Sequence, residues 1–188
     1  MNRTETRNTL FFAAALVAFL TAARLLPHVA NVAPVAAGGL FAGAYLGSRR
    51  WALAVPVLAM VLSDVLLYLL QGLLPWNPTG LGWMSKGVDY AALVVPVLLG
   101  YGLRSSRPAW KVAGFSLVGS VAFFLLSNLG VFLFGGLYPL TPAGLLGCYT
   151  MAIPFYQNTL LGDLLFSGLL FGGAWALQAR MRKARQMA

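Results

Sequence analysis

The acidic, imidazole and thiol side chains of this 188-residue chain number only six: Glu5, Asp64, Asp89, Asp163, His28 and Cys148. A serine nucleophile such as Ser85 or Ser127 would have His28 as its one available imidazole, oriented by Asp64 or Asp163. Nothing in the spacing supports such a triad. The chain has no Gly-x-Ser-x-Gly elbow, no His-Glu-x-x-His pair and no Gly-rich phosphate loop followed by lysine and Ser/Thr. It is therefore expected not to be an enzyme, and any ATP-driven step has to come from another protein. His28 and Cys148 are each chemically able to meet a metal. Neither has a second histidine or cysteine to complete a stable site, so no metal centre is expected. Asp64 and Asp163 can hold a cation between them or pair with Arg24.

The positions of the carboxylates carry more information than their number. Asp64 (in Ser63-Asp64-Val65) and Asp163 (in Gly162-Asp163-Leu164) fall inside apolar runs, and Asp89 opens another. An ionised carboxylate at the centre of a membrane helix costs roughly 2.5–3.5 kcal/mol on insertion scales, so it normally faces a partner or a wet cavity. Other polar and aromatic residues fall toward the same side of the chain's apolar segments: Arg24, His28, Asn31, Tyr90, Asn128, Tyr149, Phe155 and Asn158. Two readings follow. Apolar walls with a few convergent polar groups are the composition of a ligand pocket. The same groups can also be hydrogen-bonding glue between helices, worth on average about 0.6 kcal/mol per contact in membranes.

The elements that would position these residues are transmembrane helices. The chain is 60% hydrophobic and 9% charged, far outside the range of soluble domains. Six apolar runs approach the roughly 17–25 residues that cross a bilayer: 9–26, 32–48, 51–71, 88–103, 112–134 and 155–178. A short helix dipping into the membrane surface is expected before Pro154 breaks it and the last span begins. The first run follows Arg3 and Arg7 in the manner of a secretory signal, but five more spans follow it and it is expected to be retained. Eleven of the thirteen Lys and Arg residues lie before span one, between spans two and three, between four and five, or after six. Basic residues mark cytoplasmic loops, so both termini are expected inside, and the polar residues above face outward. The net charge of +9 is accounted for by these scattered anchors, and no nucleic-acid partner is expected. The expected architecture is a single all-α integral membrane domain over 1–188 with six spans.

Two ridges of small residues suit close helix contacts. Gly39, Gly43 and Gly47 on span two are expected to pack inside the bundle, whereas Ala14, Ala18 and Ala22 on span one suit either internal packing or a partner.

Several motifs together resemble an uncharacterised bacterial membrane family. They are Arg24-Leu-Leu-Pro-His28 with Asn31 and Pro34, Ala59-Met60 through Ser63-Asp64, and Asn128-Leu-Gly-Val. Tyr138-Pro-Leu-Thr141, Gly144-Leu through Cys148-Tyr149, Ile153-Pro-Phe155 and Gly162-Asp163-Leu-Leu complete them. That family is similar to the substrate-binding S components of energy-coupling-factor vitamin transporters, including solitary cobalamin-handling relatives. The resemblance implies a six-helix bundle in the bacterial inner membrane that captures a small organic nutrient, such as a vitamin, from outside. It implies an energising ATPase module as partner, docked on an Ala-x-x-x-Ala motif of the kind that Ala14, Ala18 and Ala22 form. A corrinoid ligand is one possibility within it. In the cobalamin-handling relative a cysteine ahead of a helix-four tyrosine meets the cobalt, and here the matching position before Tyr90 is Ser85, leaving His28 or Cys148 as substitutes. The substrate-binding set expected on these grounds is Arg24, His28, Asn31, Asp64, Tyr90, Asn128, Tyr149, Phe155, Asn158 and Asp163. A structural or assembly subunit without a ligand is the competing expectation, and an intramembrane enzyme depending on His28 a third.

Overall fold

Long runs of Ala, Leu, Val, Phe and Gly can hide their backbone polar groups from hydrocarbon only by forming continuous helices, and the chain does so. A computed structural model describes residues 3–26, 31–70 and 83–187. Its helices are α1 (Arg3–Leu25), α2 (Val35–Tyr45), α3 (Arg49–Leu70), α4 (Trp83–Ala92), α5 (Val94–Tyr101), α6 (Ala109–Phe134) and α7 (Pro142–Met187). No strand occurs among the described residues. Stretches of α1, α3, α6 and α7 are long and apolar enough to cross a bilayer. Their outward surfaces carry exposed large apolar side chains such as Phe11, Leu69, Val118, Leu161 and Leu169, which is compatible with lipid contact and not with water.

The other two apolar runs take different forms. The segment read as a span over 32–48 is the 11-residue helix α2, about 16 Å long at 1.5 Å per residue, half the thickness of a hydrocarbon core. The segment read as 88–103 is the pair α4 and α5, interrupted at Leu93. That break puts Pro96 in the first turn of a new helix, where its missing N–H deletes no hydrogen bond.

The last span is longer than expected. Pro154 does not end a short helix, because α7 runs unbroken from Pro142 to Met187 with Pro154 inside it. One proline removes one rung, and α6 meets α7 on both sides of it, through Tyr149 on the Leu125 carbonyl and Tyr156 on the Phe124 ring. The true start is marked by Thr141 and Pro142. Thr141 Oγ1 accepts the Gly144 N–H at 3.1 Å, an N-terminal cap followed by proline at the first helical position.

The short helix α2 is the central post, with nine of its eleven residues buried, and it packs on α5, α3, α7 and α6. Its contact with α5 is backbone to backbone. A Cβ on Gly43 would collide with the Val97 carbonyl, and one on Gly100 would collide with the Leu40 carbonyl. Gly39 faces Val97, Pro96 and Pro56, whereas Gly47 meets nothing and is not part of this contact. The last carbonyls of α2 are held by guanidinium groups. Arg104 donates to Gly43 and Leu46 at 2.9 and 2.7 Å, and Arg107 to Ala44 at 2.7 Å. Cations at a helix C-terminus complement its dipole. Phe41, Tyr45, Phe171 and Trp175 fill the space beside these arginines.

Candidate functional site

At the opposite end of the bundle from Arg104 and Arg107, α1, α3 and α4 are tied by one carboxylate. Asp64 lies on α3 about 22 Å from Arg49 along the axis, two-thirds of the way through the helix. Its side chain is 4% exposed and bridges Arg24 of α1 at 2.9 Å and Lys86 of α4 at 3.1 Å. Tyr90 Oη donates to the same carboxylate at 2.8 Å. Arg24 Nη1 also donates to Ser63 Oγ and to the Met60 carbonyl. Two cations and a phenol thus satisfy Asp64 completely, which resolves the alternatives for Arg24 in favour of Asp64 over Asp163.

Arg24 and Lys86 show their other faces to a cavity of about 320 Å³, within the size range of small-molecule sites. Asp89, Met60 and Leu93 complete that wall. The turn into α2 adds Asn31 and Ala33, and the first turn of α2 adds Val35 and Ala36. Asn31 has φ 67°, a left-handed conformation in which asparagine is several-fold enriched. From α6 come Phe123, Phe124, Ser127, Asn128 and Val131, and from α7 Ala152, Phe155, Tyr156 and Thr159. Phe124 and Tyr156 pack with ring centroids 4.8 Å apart, giving the cavity an aromatic wall.

Asp163 also lines the cavity and is buried, 3% exposed. It sits about 32 Å along α7 from Pro142 and opposite Ser120, near the middle of the 26-residue α6. It lies deeper than a span beginning at Phe155 would place it, because α7 begins thirteen residues earlier. Ser120 Oγ donates to Asp163 Oδ2, and the Ala37 backbone N–H at the start of α2 donates to the same carboxylate. Gly162 makes this approach possible, since a Cβ there would lie 3.1 Å from Val32 Cα. A carboxylate accepting an N–H from the first turn of a helix also meets the positive end of its dipole. Among the described residues no lysine or arginine pairs with Asp163.

The expected binding residues therefore divide. Arg24, Asn31, Asn128, Phe155 and Asp163 line one cavity. Asp64 and Tyr90 stand behind its wall and hold Arg24 and Lys86 in place. Tyr149 and Asn158 do not reach it, Tyr149 because its hydroxyl donates to the Leu125 carbonyl at 2.7 Å. His28 lies outside the described residues. Cys148 is buried against α6, its Sγ 3.5 Å from the Asn128 carbonyl, and does not line the cavity. Among the described residues no group of His, Cys, Asp or Glu is placed to hold a metal ion. Lys86, Asp89, Ser127, Tyr156 and Thr159 are the polar lining residues outside the expected set. Lys86 was legible as one of only two basic residues lying away from the basic loops. Ala14, Ala18 and Ala22 form an exposed stripe along α1.

Fold and site define an all-helical bundle, compatible with a membrane, that encloses a polar and aromatic cavity at one end. The chain belongs to a family of unknown function (DUF6580), whose model matches residues 3–185. No curated protein and no solved structure matches it.

Proposed function

We propose that the protein is a bacterial inner-membrane carrier, akin to the S components of energy-coupling-factor transporters, that takes up a small organic nutrient. The observation that carries this reading is the 320 Å³ cavity, in which charged and amide groups from four helices and the turn into α2 face an aromatic wall. The basic residues collect at the other end of the bundle, so the positive-inside rule turns the cavity outward. The ligand is vitamin-sized. A cavity of this volume suits such a ligand better than a corrinoid, and of the two groups named for its cobalt Cys148 does not line the cavity while His28 lies outside the described residues. Release to the cytoplasm requires a second state of lower affinity, driven by an ATPase module docked on the exposed Ala14, Ala18 and Ala22 stripe.

A thermal-shift screen of the purified protein against vitamins and their precursors tests the reading. A ligand at 100 times its Kd adds about 2.7 kcal/mol of stability, an increase a melting curve resolves. The structural-subunit reading draws on Asp64, whose every partner is another helix. It predicts that no compound moves the melting temperature, and that outcome across the screen would sink the carrier.

A further inference from the structure

The two carboxylates buried in the spans are treated very differently by their surroundings. Asp64 has Arg24 and Lys86, whereas Asp89, one helical turn from Lys86 on the same wall, has no ion pair among the described residues. Asp163 has a hydroxyl, a backbone N–H and the N-terminal dipole of α2, but among the described residues no side chain of full positive charge. Among the described residues around the cavity, Arg24 and Lys86 stand against Asp64, Asp89 and Asp163, so acid is in excess there. Asp163 lies deepest, where hydration is weakest and an unpaired charge costs most. It faces open space and not packed hydrocarbon, so a partner can reach it.

From this geometry we infer that the cavity takes a small organic cation, an ammonium or amidinium-bearing molecule whose positive group seats on Asp163. The inference rests on the carrier reading and sharpens it. The rest of the lining suits such a ligand. Phe123, Phe124 and Tyr156 line the same cavity as Asp163, and aromatic rings attract cations, most strongly where water is excluded. Asn128 and Ser127 supply neutral hydrogen bonds higher in the cavity. Arg24 and Lys86 at the rim, engaged by Asp64, are poor partners for the ligand's positive end and orient it inward.

The test uses the full-length protein in lipid nanodiscs, incubated with deproteinised bacterial extract, washed and analysed by mass spectrometry for retained small molecules. Wild type is expected to retain a molecule with a fixed or protonable positive group. Asp163→Asn keeps an oxygen for the Ala37 N–H and offers its NH2 to Ser120 Oγ, which can accept, but removes the charge, and is expected to lower retention at least tenfold. Asp163→Glu, which keeps the charge, should retain more than Asp163→Asn, and a melting curve of each variant confirms that it is folded. Retention of a neutral or anionic molecule overturns the inference and leaves the carrier standing, since Asp163 would then carry a proton in place of a ligand cation. A cation retained equally by wild type and Asp163→Asn overturns it as well. Retention of nothing, together with no thermal shift in the vitamin screen, overturns both.

Discussion

Arg24, Lys86 and Asp64 form a triad whose members are not equivalent. Asp64 is the hub, the one anion between two cations and a tyrosine hydroxyl, whereas each cation occupies a single spoke. Asp64→Ala strands both cations beside a partly buried cavity wall, and breaking a buried pair by removing one partner costs roughly 3–5 kcal/mol. Lys86→Met leaves Asp64 with Arg24 and Tyr90 and therefore costs less. Thermal unfolding in detergent should rank wild type first, Lys86→Met second and Asp64→Ala last. An Asp64→Ala protein as stable as wild type would show that the triad does not hold α1, α3 and α4 together. Asp64 was thus legible as a buried acid needing partners, but not as a residue behind the wall. Sequence spacing gives depth along a helix, and the direction of a side chain depends on which neighbours surround it.

The half-length helix α2 owes its place to its ends and its glycines. An 11-residue helix cannot satisfy its terminal carbonyls or N–H groups with membrane around it, and here side chains from other elements do so. Arg104 and Arg107 take the carbonyls, and Asp163 takes the Ala37 N–H. Gly43 lets α5 approach until its backbone touches that of α2. Gly43→Leu is expected to destabilise by about 1–3 kcal/mol or more, the usual range for overpacking a filled core, because the obstacle is backbone and cannot rotate away. Gly47→Ala, where the added methyl meets nothing, should stay within about 0.5 kcal/mol of wild type. Equal melting temperatures for the two variants would contradict this packing. Six apolar segments were readable from hydropathy, and the four-residue spacing of small residues picked out Gly39 and Gly43 but also Gly47, which meets nothing. The shortness of α2 and the division of the fourth segment at Leu93 were not readable, since both depend on partners distant in sequence. Pro154 misled for a related reason: its cost is local, and the packing of α7 along α6 outweighs it.

At the scale of the whole molecule, charge is separated along the bundle axis. The cavity lies at the end where α1 finishes and α2 begins. Arg49, Arg104, Arg107 and Lys111 lie at the other, where Tyr101 Oη reaches the Arg49 carbonyl and Lys111 the Gly102 carbonyl. The C-terminal part of α7 extends the basic end with Arg180, Arg182, Lys183 and Arg185, all exposed. An outward-facing cavity requires this end to be cytoplasmic, and the chain offers a clean way to check it. Its one cysteine, Cys148, is 2% exposed and should react slowly with a bulky maleimide, and Cys148→Ser removes even that background. In the Cys148→Ser protein, Leu140→Cys, at a residue 68% exposed beside the start of α7, is expected to label with an impermeant maleimide in intact cells. Arg185→Cys, near the end of α7, is expected to label only after the membrane is permeabilised. The reversed pattern would turn the cavity toward the cytoplasm, and the carrier would then have to export its ligand or receive it from inside.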